Sequence, residues 1–165
     1  MPARTHPDRP LDGTPKATLE AHLERDRATL LWKIDGLSDA DLRRSLVPSG
    51  ITLLGMVKHQ AHVERFWFQD VFAGGDGDFP WTDDDPDADW RVEPHDSTAE
   101  IIALYEAEVA RSREIMATAA LDDRSRHPEA DYSYAWILCH MIEEVSRHNG
   151  HADILRELID GSTGS

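Results

Sequence analysis

A chain of 165 residues can close one hydrophobic core, and its single cysteine, Cys139, excludes an internal disulfide framework. The formal net charge is −15, from 32 Asp and Glu against 17 Lys and Arg with no basic stripe, which argues against nucleic acid as a partner. No apolar run reaches the length of a membrane span and the N-terminal MPARTHPDRPLDGTP has no apolar leader segment, so a soluble, cytoplasmic protein without a membrane partner is expected.

Residues 1–14 read as a Pro-rich disordered arm. Thr14 and Pro15 then supply an N-cap and a helix-compatible first residue, after which Leu19, Leu23, Leu30, Ile34 and Leu37 recur at helical spacing and predict a first helix over 15–36. Ser38 opens a short capped turn, and Pro48, Ser49 and Gly50 break the chain. A second helix is predicted from Thr52 to the stop at Gly74 and Gly75. Its wheel places His59 with Leu53, Met56, Val63 and Phe66 on an inward face, and turns His62 toward water.

Residues 73–96 form a long loop with the acidic run Asp83, Asp84, Asp85, Asp87 and Asp89, bordered by Trp81 and Trp90. The run lacks the central Gly and closing Glu of a calcium loop, so it is expected to be solvated, while a loop of this length could cover a site or an interface. Ser97 and Glu100 form a capping box ahead of a third helix, with Ile102, Tyr105, Val109, Ser112 and Met116 on one stripe. A fourth helix spans 133–160 and meets Gly161 as its C-cap, leaving 162–165 as a disordered tail. The fold class is therefore all-α, a bundle of four long helices in one domain over 15–161.

Along the fourth helix the inward stripe reads Ile137, Met141, Glu144, His148, His151 and Leu155, so a carboxylate and imidazoles stand where aliphatic side chains belong. A buried carboxylate demands a partner, and a divalent cation is one. The pairs His140 with Glu144, Glu144 with His148, and His148 with His151 all have helical neighbour spacing. Two His and one Glu can hold zinc with a position left open, and His59 is the inward imidazole of the second helix, which makes His59, Glu144 and His148 the most economical ligand set. The same residues also fit a plainer role, as buried polar groups bonded to one another. Cys139, beside His140, reads as an inert core thiol, and Trp32, Trp67, Trp136, Tyr105 and Tyr134 as core aromatics. Arg147 and Arg156 are expected to pair with neighbouring acids such as Glu143, Asp153 or Glu157.

The stretches GMVKHQAHVERFWF at 55–68 and WILCHMIEEVSRHNGHADILRELIDG at 136–161 resemble the DinB/YfiT-like metalloenzyme superfamily, in its actinobacterial mycothiol-transferase-like subfamily. The resemblance implies an up-down four-helix bundle over residues 15–161, with metal ligands at the positions of His59, Glu144 and His148. Glu144 departs from the histidine that many relatives carry and matches the His-Glu-His set of mycothiol-dependent isomerases. It further implies a divalent metal, zinc foremost with nickel or manganese compatible, and a low-molecular-weight thiol such as mycothiol as cosubstrate. On that basis His140 and His151 would orient ligands or relay a proton.

The function so implied is metal-dependent thiol S-transfer to a small electrophile held under the 73–96 loop. Two alternatives use the same residues: a non-catalytic bundle that binds a ligand or dimerises, and a metal-assisted hydrolase, for which no dedicated general base is visible. A homodimer sealed by exposed apolar groups around Trp81 and Trp90 is a further expectation.

Overall fold

Helices account for all regular secondary structure in the computed structural model, which describes residues 6–164. In chain order they are α1 (Pro15–Ile34), α2 (Asp39–Leu42), α3 (Leu53–Glu64), α4 (Thr98–Thr118) and α5 (Tyr134–Asp160), and a π-helical segment, Arg65–Phe72, continues α3. Among the described residues no strand forms, and β pairing is limited to the isolated bridges Thr82–Asp85 and Arg124–Ser133. The fold is all-α, consistent with the expected DinB-like bundle. No described helix is long and apolar enough to cross a membrane. The expected disorder at residues 1–5 of the arm and at 165 of the tail lies outside the described residues.

The caps form as the sequence requires. Thr14 accepts from the Ala17 N–H with Pro15 at the first helical position, Ser38 accepts from the Asp41 N–H, and Ser97 with Glu100 makes a reciprocal capping box. Gly161, at φ 77°, closes α5 by donating its N–H to the Glu157 carbonyl at 2.9 Å.

By their contacts the residues divide into two compact units, Met1–Leu53 with Leu138–Ser165, and Leu54–Ile137. In the first unit, Leu23, Leu30 and Ile34 of α1 are buried, as are Leu138, Met141, Val145, Ala152 and Leu155 of α5. Asp26 ties these two helices together by accepting from the Ser146 hydroxyl at 2.7 Å through its carboxylate and from Asn149 at 3.0 Å through its carbonyl. Burial pushes the Asp26 carboxyl above its usual range, against the opposing pull of the Ser146 bond. Arg156 donates to the carbonyls of Lys33 and Asp35, each at 2.9 Å, and so satisfies the end of α1 besides pairing with Asp160 at 2.9 Å. The expected partner acids, Asp153 and Glu157, do not take this arginine. Asp153 instead pairs with the buried Lys33, which also donates to the Gly164 carbonyl.

The second unit packs α3, the π-helical segment and α4, with Met56, Val57, Phe68, Tyr105, Val109 and Met116 buried. Glu108 of α4 is 1% exposed, accepts from Arg65 and Gln69 at 2.6 Å each, and accepts from Arg111 at 3.2 Å. Burial alone would raise its pKa, but the bonds from Arg65 and Gln69 outweigh that cost and hold the carboxyl below its ordinary range. At the end of the π-helical segment the Ala73 N–H reaches back five residues to the Phe68 carbonyl at 3.1 Å, and Gly74, at φ 77°, turns the chain away. A side chain at Gly74 would also place its Cβ 3.0 Å from that of Arg126.

Candidate functional site

His59 lies on α3, half-buried, with Nδ1 2.7 Å from the Asp89 carboxylate. An ionised carboxylate can only accept, so the proton of a neutral imidazole here sits on Nδ1 and the lone pair on Nε2. Trp90 stacks on the same ring, with centroids 3.9 Å apart and planes 18° from parallel, which fixes the plane in which that lone pair lies. The loop that carries Asp89 and Trp90 is fastened to α3 by Lys58, which donates to the Arg91 carbonyl at 2.7 Å and to Asp96 at 2.8 Å. Within this unit Trp81, Pro86, Asp89 and Trp90 of the loop, with His59, Val63 and Phe66, border a cavity of about 260 Å³.

Asp89 corrects the expectation of a wholly solvated acidic run. Asp83, Asp84 and Asp87 are exposed as anticipated, whereas Asp89 is 3% exposed because its carboxylate is drawn to the imidazole. Its one sequence cue was the adjoining Trp90, an apolar group beside an acid. The loop tryptophans are also less open than expected: Trp81 and Trp90 are both half-buried, Trp81 stacking on Phe79 at 4.4 Å.

His62 is a second correction. It is 8% exposed, its ring centroid 6.1 Å from that of Trp81 with the planes at 86°, rather than pointing to water. Burial, assisted by the positive charge of Arg65, lowers its pKa from 6.5 and favours the neutral imidazole.

In the first unit, Glu144 and His148 meet one helical turn apart on α5, with His148 Nε2 2.9 Å from Glu144 Oε1. Both side chains are largely enclosed, at 15% and 10% exposure. Arg147 bonds Glu143 at 2.5 Å, as expected, and comes within 3.7 Å of Glu144, where it offsets part of the carboxylate charge. Ile137, Met141, His148 and Leu155 of the predicted stripe are buried, but His151 is exposed, its ring 5.7 Å from that of His148 and tilted by 57°. His140 is half-buried. Cys139 is exposed rather than a core thiol, and Trp136 is 44% exposed, stacking on Tyr132 at 4.3 Å. Both lie off the α5 face that carries Ile137, Met141 and His148. Tyr105 and Tyr134 are core residues as expected, while Trp32 and Trp67 are half-buried.

The second unit thus presents His59, and the first presents Glu144 with His148, as side chains of metal-ligating type. Their donor chemistry suits a metal ion, since two imidazole nitrogens and a carboxylate oxygen match zinc sites that keep a position open. A family model described as Mycothiol-S-transferase matches residues 18–161. No curated protein matches the chain.

Proposed function

The chain belongs to the mycothiol-S-transferase family, of DinB/YfiT-like type, and from that premise we propose that it is a metal-dependent thiol S-transferase, joining a low-molecular-weight thiol such as mycothiol to a small electrophile. The proposed ligands are His59, Glu144 and His148. The observation that carries this reading is the pairing of Glu144 with His148 at 2.9 Å, one helical turn apart on α5, in a chain that the family model matches over residues 18–161. The Asp89 bond supports it further, because a carboxylate on Nδ1 fixes the tautomer whose lone pair is on Nε2 of His59. Zinc is the first choice for such a donor set, with nickel and manganese compatible.

A divalent ion at this position would supply acidity, favouring thiolate over thiol at neutral pH. The remaining tasks fall to the chain. Asp89 holds the His59 tautomer, Trp90 holds the ring plane, and Glu144 brings a negative charge that Arg147 partly offsets. His140 and His151 are assigned to orienting ligands or relaying a proton, His151 from its exposed position beside His148. The reading takes residues 15–161 as the functional domain of a cytoplasmic protein acting on a small molecule.

The test is turnover of a panel of electrophiles by metal-loaded protein, with mycothiol and with water as the only nucleophile. Thiol-dependent product is expected. Equal turnover without thiol would replace S-transfer with hydrolysis.

A further inference from the structure

The cavity beside His59 is walled by Val63, Phe66, Trp81, Pro86 and Trp90, and its two polar liners, His59 and Asp89, are bonded to each other. Among the described residues no lysine or arginine lines it. An anionic ligand would therefore meet a carboxylate and apolar walls without a lysine or arginine to pair with, and a polyhydroxylated one would lose its hydrogen bonds to water with little in return. An uncharged, flat apolar group loses neither, and gains stacking surface from the tryptophans. The depression of about 260 Å³ is open to solvent, so a fused or linked pair of rings can lie against its walls with one edge exposed.

We infer that this cavity is the binding site for the electrophile and selects an uncharged aromatic or similarly apolar molecule, while the polar body of the thiol lies outside it. The inference rests on the proposed function in one respect only: His59 must be a metal ligand for a molecule in the cavity to lie beside the reactive sulfur. Occupation of the cavity by an apolar ring requires no metal. Trp81 and Val63 act as specificity residues, since they shape the walls and belong neither to the proposed ligand set nor to the Asp89 pair.

The experiment uses the full chain, metal-free and zinc-loaded, with two fluorescent probes that share a ring system: uncharged N-phenyl-1-naphthylamine and its sulfonated anion, 8-anilino-1-naphthalenesulfonate. The uncharged probe is expected to bind one per chain in both states, with energy transfer from tryptophan, and at least tenfold more tightly than the anion. Val63→Asp and Trp81→Ala should each weaken it tenfold or more, whereas Trp136→Ala, whose ring does not line the cavity, should not. Circular dichroism identifies any variant that has lost its fold, and the Trp81 and Trp136 comparison stands independently of Val63. Equal affinity for the two probes, unsaturable binding, or binding that follows Trp136 instead of Trp81 would overturn the assignment. Zinc stoichiometry is measured on the same samples, so a protein that binds the probe without zinc leaves the cavity assignment standing and removes the transferase reading. One that binds zinc but not the probe does the reverse.

Discussion

Replacing Asp89 by alanine should weaken metal binding without unfolding the chain, because Asp89 touches the proposed ion only through His59. The carboxylate is 3% exposed and 2.7 Å from Nδ1, so its bond to the imidazole is shielded from water and strengthened by charge. Removing it frees the ring to rotate or to move its proton to Nε2, which would block the ligand atom. Loss of such a supporting partner typically costs 10–100-fold in metal affinity, or about 1.4–2.7 kcal/mol at 1.36 kcal/mol per tenfold change. Trp90 remains stacked on the ring at 3.9 Å and restrains part of that rotation, which favours the lower half of the range. Zinc affinity is read by competition with a chromophoric chelator, and the Co(II) absorption spectrum reports ligand geometry. Asp89→Glu should recover part of the affinity. If Asp89→Ala keeps wild-type zinc affinity and an unchanged Co(II) spectrum, the imidazole is oriented by something else and the assigned role of Asp89 is wrong.

His62 should make the metal-free protein less stable toward acid. Its folded pKa lies below the unfolded value of 6.5, so the unfolded chain binds the extra proton first, and the associated stability is complete above pH 6.5 and falls as pH drops through the folded pKa. Urea unfolding at several pH values between 5 and 7.5 should show a shallower slope for His62→Leu, and an identical slope would contradict a buried neutral imidazole. Arg65→Met leaves the buried Glu108 carboxylate short of its closest cation, a loss of about 2–3 kcal/mol by analogy with other uncompensated buried acceptors. The double variant with Glu108→Gln should cost less than the sum of the single changes, and strict additivity in denaturant unfolding would mean that the two groups do not interact. Cys139, being exposed, should react fully with a disulfide reagent such as 5,5′-dithiobis(2-nitrobenzoate) under native conditions. A thiol titratable only in denaturant would return it to the core.

The helices were legible because their ends are local chemistry. Thr14 with Pro15, Ser38, and Ser97 with Glu100 each satisfy backbone groups within a few residues, so no tertiary knowledge is needed to place them. Glu144 and His148 were legible for the same reason, since one helical turn dictates their meeting. His62 was not, because a single-faced wheel assumes a wet side, and around it Gln60, Ala61 and Glu64 are all buried with Leu53, Leu54, Met56 and Val57. Nor does apolar spacing announce the change to π-helical winding at Arg65, which alters which later residues share a face. Asp89 was hidden by its company: composition describes a run of aspartates as one solvated block, whereas burial is decided residue by residue by the loop path that carries Asp89 to His59. The stripe on α5 failed at His151 because the covered line runs through Met141, Val145, His148, Ala152 and Leu155, and His151 stands to one side of it.

The central claim, that His59, Glu144 and His148 hold one divalent ion, is tested most directly by elemental analysis of untagged protein. Wild-type chain should carry close to one ion, and His59→Ala and His148→Ala should each lose it while keeping the helical circular dichroism of the parent. Folded wild-type protein that takes up no stoichiometric metal, or variants that retain it, would contradict the account.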